Sequence, residues 1–529
     1  MVEISKGAFA DCSGFKGELR IPNSVTIIEN GDNYYPNYPY LNNPGAFENC
    51  DGFTSLVLGN SLTQIGSFAF KGCNGFTNKL IIPNSVTTIG EQAFEDCSFN
   101  GMDINMENIP DSAFEGCSGF GSLNIGNAVS TIGNSAFMDC NRFSSLNIGN
   151  SVAEIGSSAF SGCSGFTGSL TIPSSVEFIA RNAFNNCTGL NEIFFDAKEC
   201  EVDGIICQGC TGVTFIAIGD SVEIITERLF SGFENLTTVS IGKTVKIIES
   251  RAFAENPRLN MIYYNVEKDL EAATNVFDNC PNLTTIHIGP EVKEIGSNIF
   301  KGCNTVHFVV ALGPTPAVLD AGAFSDIVDN SVLMVSCGKR VTYYSVWNMF
   351  PFNNIIEDCD TYGINVGAVS SGGTITPSVT EAQMGQEVQI TIMPNPGMAL
   401  TTIKVVNAND PTQIIPISPT GKAASTYSFT MPPFEVVVMA TFKSSGASVD
   451  ENNSIEVGVY PNPTNGLVKI EAESIKHITF SNMLGQVVFD GKVDGDAFEY
   501  DFSGQKTGVY LVRIETASGV AVKKVSVTR

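Results

Sequence analysis

Residues 144–163, SSLNIGNSVAEIGSSAFSGC, carry two hydrophobic spacings in one short stretch. Leu146 and Ile148 alternate with Asn147, the period of a strand buried on one face. Gly149-Asn150 turns the chain, Val152 and Ile155 point back inward, and Ala159, Phe160 and Cys163 close the pattern. The small Ala permits close approach, the Phe fills space between neighbouring layers, and the Cys acts as a small hydrophobe.

This spelling returns along most of the chain. Phe9, Phe47, Phe70, Phe94, Phe114, Phe137, Phe160, Phe184, Phe230, Phe253, Phe277, Phe300 and Phe324 share one slot, with Cys207 in the same slot after Phe184. The intervals are 38, 23, 24, 20, 23, 23, 24, 23, 23, 23, 24, 23 and 24 residues, fourteen turns of one period with two irregularities. A fixed period in this range predicts a solenoid whose units bury their apolar edges against each other. Eleven of the fifteen cysteines recur three residues after the slot, between Cys12 and Cys303, and Phe233 or Asn256 stands there in other units. That exchange favours a reduced, packed ladder. Neighbouring coils about 4.8 Å apart nevertheless lie within reach of disulfide geometry, so pairing stays open.

Composition narrows the partners. The 529 residues are too many for one compact core and fit an array with appended domains. With 55 acidic and 29 basic residues, the net charge of −26 disfavours nucleic acid and anionic membrane surfaces. No apolar run has the length of a membrane span, and MVEISKGAFADC shows no signal-peptide pattern. Met1 falls partway through a unit, which leads to the expectation of further repeats upstream.

The repeat, above all SLTIPSSVEFIARNAFNNC at 169–187, resembles the BspA-like leucine-rich repeat family of bacterial surface proteins over roughly residues 1–360. Ser85, Ser151 and Ser175 depart from the commoner leucine-rich consensus, where Asn or Cys forms the turn ladder. Residues 331–360, with Trp347, Tyr343, Tyr344, Phe350 and Phe352, resemble the closing segment of such arrays, with a short helix near 340–348. Cys337 and Cys359 fall outside the ladder and are the disulfide candidates of an exported chain.

Beyond the array, residues 361–443 alternate apolar and polar positions between Gly/Pro turns, the pattern of a small all-β spacer module. A polar linker follows at 444–455. Residues 456–529 contain VYPNPTNG, NMLGQ and a closing GVYLVRIETASGVAVKKVSVTR. In this order they resemble the type IX secretion sorting domain (type A), a small β-sandwich. The landmarks are Tyr460, Pro461, Asn462, Pro463, Gly485, Gly508, Tyr510, Lys523 and Lys524. The resemblance implies export to the exterior of a Gram-negative outer membrane, engagement of the type IX machinery and attachment to the cell surface.

Candidate chemistry is sparse. There is no G-x-S-x-G and no H-E-x-x-H, and Gly242-Lys243-Thr244 lacks the earlier glycine of a phosphate loop. Cys207-Gln-Gly-Cys210 is half a zinc site without a second half, and His287 and His307 fall at different unit positions. The expectation is a non-enzyme without metal or cofactor. Binding is better supported. The outward strand positions are small and polar in early units, such as Ser144, Ser145 and Asn147. In later units they include Phe194, Phe215, Met261, Tyr263 and His287, which reads as an exposed contact patch. A local slip that turns these rings inward is the alternative. The insertion ENGDNYYPNYPYLNN at 29–43 adds Tyr34, Tyr35, Tyr38 and Tyr40 as a second candidate, or as packing.

The sequence thus predicts a mainly β solenoid of about fourteen 23-residue coils, with the array over 1–310 and its last repeat and cap over 311–360, then the β module, the linker and a C-terminal β-sandwich. The resemblances imply a secreted adhesin or protein-interaction scaffold, with host extracellular-matrix proteins, receptors or other bacterial surfaces as partners. A glycan- or nutrient-capturing surface protein and a structural surface-layer component are the alternatives.

Overall fold

The computed structural model describes residues 2–31, 43–119, 121–267, 271–272, 275–296, 299–320, 322–329, 331–348, 352, 354–367, 372–411, 413–419, 426–444, 457–460, 464, 466–482, 487–505, 508–516 and 519–527. They fall into two compact units. One comprises 1–367, 376–391 and 404–439, and the other 368–375, 392–403 and 440–529.

The first unit is the expected β-solenoid, closed by β-rich sequence after the last coil. Each coil adds one strand in parallel to the coil before. In the later coils nine strands, from Gly168–Ile172 to Asn354–Asp358, form one continuous sheet. Leu80–Ile81, Met102–Ile104, Ser122–Ile125 and Ser145–Asn147 do the same in earlier coils. A second, narrow ladder of two-residue strands lies elsewhere on each coil, with Glu154–Ile155 between Thr131–Ile132 and Phe178–Ile179.

The coil closes through two left-handed residues, one two positions before the Phe and one just before the Cys. Ser135 and Asp139 (φ 51° and 59°) occupy these positions around Phe137. The second position alternates Asx and Gly from coil to coil: Asn49, Gly72, Asp96, Gly116, Asp139, Gly162, Asn186, Gly209. Asx and Gly tolerate this backbone best. Packing explains the alternation, because a Cβ on Gly162 would lie 2.0 Å from Asp139 Oδ1. The Asx side chain of one coil occupies the space that the glycine of the next leaves open.

Inside, the phenylalanines from Phe9 to Phe184 stack with ring centroids 5.1–5.3 Å apart. Cys207 interrupts this column. Phe195, in a strand slot filled by Ile172 and Ile218 in the flanking coils, meets the next ladder ring, Phe230, edge-on at 5.5 Å. Tyr264 takes the same strand slot near Phe300, at 5.5 Å. Bulk missing from one slot is thus supplied from another, keeping the interior filled.

The cysteine slot does more than fill space. Cys140 Sγ donates to Phe114 O at 3.0 Å, and equivalent thiols from Cys50 to Cys210 donate to the earlier Phe carbonyl at 2.9–3.2 Å. Asn256, which replaces Cys in one coil, keeps the bond through Nδ2 to Phe230 O at 2.9 Å. A small donor thus serves most coils, and Phe233 fills the slot without one. Burial pushes the Cys73 thiol up to about 12, so the donor stays protonated.

Helix Arg340–Trp347 covers the last coil. Trp347 donates to Ala317 O at 2.9 Å and packs against Phe324 and Phe352, both with centroids 5.9 Å away. Cys337 and Cys359 are joined by a disulfide. The other described cysteines are free thiols.

In the second unit Leu467–Asn482 is central, pairing antiparallel with Val457–Tyr460, Val487–Asp501 and Gly508–Thr516. Gly508–Thr516 also pairs with Gly519–Val527. Ile470, Ile478, Phe480, Val512 and Ile514 form its core.

Removing one ring from the middle of the column should be costly. Phe137→Ala is expected to lower unfolding free energy by about 3–5 kcal/mol. Phe9→Ala, at a ring already 38% exposed, should cost less than half as much. Urea denaturation of the two variants, followed by circular dichroism, checks the order.

Candidate functional site

Alternation along the long sheet puts two rows of side chains on its outer surface. One runs Thr171, Phe194, Ala217, Ser240, Tyr263, His287, Val310 and Met334. The other runs Ser169, Glu192, Phe215, Thr238, Met261, Thr285 and Phe308. All five residues expected in the contact patch belong to these rows, so the register does not slip. Tyr264, not Tyr263, is the ring that turns inward.

The expected exposure does not hold. Phe215, Tyr263 and His287 are each 2% exposed, and Phe194 and Met261 are half-buried. The cover is the β segment after the cap, within the same compact unit. Val406 and Ile414 pack on Phe215, with Phe194, Ala217, Val437 and Met439 around them. Further along, Met384 packs on Val310, Leu312 and Met334. Lys404 Nζ pairs with Glu192 Oε1 at 3.2 Å, and Gln413 Nε2 donates to Met261 Sδ at 2.9 Å. An apolar strand face is a docking seat, and here the chain fills its own.

Between these contacts Tyr263 and His287 stack with centroids 4.7 Å apart. The Tyr263 hydroxyl and His287 Nδ1 are buried without a hydrogen-bond partner among the described residues. Burial pulls the His287 imidazole down to about 3.

The earlier coils differ. In the separate sheet of the earlier coils Ile81, Asp103, Asn124 and Asn147 stand in register, with Ile81 65% exposed and Asn147 also exposed, as is Thr171 on the first strand of the long sheet. Asn124 Nδ2 donates to Asp103 Oδ1 at 2.8 Å, so polar side chains hold one another in ladder register. The small polar Ser145 and Asn147 had marked this stretch in the sequence. The covering residues Val406, Ile414 and Met384 had not been singled out.

Tyr34, Tyr35, Tyr38 and Tyr40 lie outside the described residues, as do Pro461, Asn462, Pro463 and Gly485. Of the remaining C-terminal landmarks, Tyr460 pairs with Lys469, Gly508 with Val527 and Lys524 with Leu511 on neighbouring strands. Tyr510 is buried against Phe502 at 5.0 Å, and Lys523 is half-buried.

Six copies of the BspA type leucine rich repeat region match over 43–167, 107–210, 166–267 and 201–327, together more than half of the chain. The chain belongs to the BspA type leucine rich repeat family. Residues 458–528 match a secretion system C-terminal sorting domain, and 364–446 match a divergent InlB B-repeat domain. No curated protein matches. Among solved structures, the chain is similar to a leucine-rich repeat protein from Bacteroides ovatus (25% identity, 59% of this chain and 82% of that one, TM-score 0.41). It is also similar to a leucine rich cell surface protein from Faecalibacterium prausnitzii (22% identity, 59% and 90%, TM-score 0.31). The pneumococcal vaccine antigen PcpA is a third (15% identity, 65% and 79%, TM-score 0.29). No helix among the described residues is long and apolar enough to cross a membrane. The repeat region and the sorting domain mark a secreted or surface protein.

His287 gives the cover a pH signature. The ring is neutral in the folded chain, but on unfolding it regains its ordinary value of 6.5. Its contribution is therefore fully present above pH 6.5 and is lost as pH falls toward 3, by about 1.4 kcal/mol per pH unit. His287→Phe should flatten the decline between pH 6.5 and 4 relative to the parent, measured as paired denaturation curves.

Proposed function

We propose that this BspA-type chain is a non-catalytic surface adhesin, exported by the type IX route and held on the outer surface of a Gram-negative cell. The sorting-domain match and the order of the C-terminal landmarks support the export route. The partners are host extracellular-matrix proteins, host receptors or other bacterial surfaces.

One observation carries the binding reading: the strand face is divided. Its later part is occupied by the chain's own β segment, while Asp103, Asn124 and Asn147 stand in register on the earlier strands. Carboxylate, amide and hydroxyl groups fixed on a rigid sheet can exchange hydrogen bonds with a polar protein surface at little ordering cost. The acidic balance of −26 favours a basic patch on the partner.

The full chain should therefore bind immobilised matrix proteins or whole bacterial cells. Asn124→Arg with Asn147→Arg should weaken that binding at least tenfold, while Glu154→Arg on the narrow ladder should leave it unchanged. Surface plasmon resonance on proteins with matched melting curves provides the readout. Equal binding by all three would move the ligand off this face.

A further inference from the structure

Three loops of the first unit converge. They are the turn at 359–360, the loop at 408–411 and the segment 431–435. Residues 364–366 pair in parallel with 436–438, which joins the first loop to the third. Ala408 N–H donates to Glu435 O at 2.9 Å, which joins the second to the third. The loops border a shallow surface groove of about 540 Å³, open to solvent along most of its extent. Small-molecule sites span roughly 300–1,000 Å³.

The lining has two kinds of surface. Tyr362, Pro433 and Phe434 supply flat apolar rings, while Asp360, Asn409 and Glu435 supply acceptors and one amide at the solvent edge. Tyr362 is oriented in advance. Its hydroxyl donates to Asp358 Oδ2 at 2.7 Å, and Asp358 Oδ1 accepts the Asp360 N–H at 3.0 Å. The hydroxyl is thus occupied within the protein and the ring is held in place.

We propose that this groove binds a neutral pyranose unit of a polysaccharide, a function separate from protein adhesion on the strand face. The C–H face of a sugar ring stacks on apolar rings, and its neighbouring hydroxyls donate to carboxylates in charge-assisted bonds. Among the described residues no basic side chain lines the groove, and Asp360 and Glu435 repel a phosphate, sulfate or uronate group. An aliphatic ligand would leave Asp360 and Glu435 without use.

The test uses the full chain in affinity gels that contain dextran, mannan or galactan, followed by calorimetry with the oligosaccharide of whichever glycan retards it. Phe434→Ala and Glu435→Gln, both in loops, should each weaken retardation at least tenfold with unchanged melting. Asn124→Arg with Asn147→Arg should leave it intact, which separates this site from the strand face. Retardation by none of the three glycans, or retardation that survives both loop variants, would overturn the proposal. So would capture of a lysine-rich peptide that competes with the glycan more tightly than the glycan binds.

Discussion

Stacking of one coil on the next is the interaction on which everything else depends. A single coil cannot bury its apolar edge; it does so only when neighbours cover both sides. Every inward slot must therefore present the same shape at each repeat. The phenylalanine column, the Cys or Asn donor to the earlier Phe carbonyl and the alternating Asx and Gly all answer that demand. Where a slot changes, as at Cys207, a neighbouring residue such as Phe195 adds volume. At the far end Trp347 and Phe352 take the place of a next coil.

A scaffold stiffened in this way holds its outer strand positions at fixed spacing, and the chain uses them in two ways. The later stretch is apolar and is covered from within the same unit by Val406, Ile414 and Met384. The earlier stretch is mainly polar, with Asn147 exposed and Asp103 and Asn124 half-buried. The covered strands and the uncovered ones belong to two successive sheets of the same solenoid. The buried pair Tyr263 and His287 shows that the covered face includes polar groups.

Most of the fold was legible because stacking imposes identity at a fixed period. Phe137 and Phe160 announce the same slot from sequence, and Trp347 announces its end. The outward rows were equally legible, since alternation fixes which way Phe194 and Tyr263 point. What alternation cannot tell is whether outward means solvent. The cover lies far along the chain, so no local pattern near Phe215 reveals it. A trace existed elsewhere. Val405 and Val406 are consecutive and both buried, as are Ile414 and Ile415, the mark of strands covered on both faces. The thiol bond to the Phe carbonyl was hidden for another reason. Packing alone accounts for a small buried Cys, and Asn256 looked like an exception until its Nδ2 was seen to keep the bond.

The division of the strand face is tested most directly by thiol accessibility in the native full chain. Ser240 and Asn147 both lie at outward strand positions, Ser240 buried and Asn147 exposed. Ser240→Cys and Asn147→Cys would each be treated with a maleimide, and labelling at the new position read by mass spectrometry. The account predicts rapid labelling at 147 and protection at 240 until denaturant is added. Equal native labelling at both positions would contradict it.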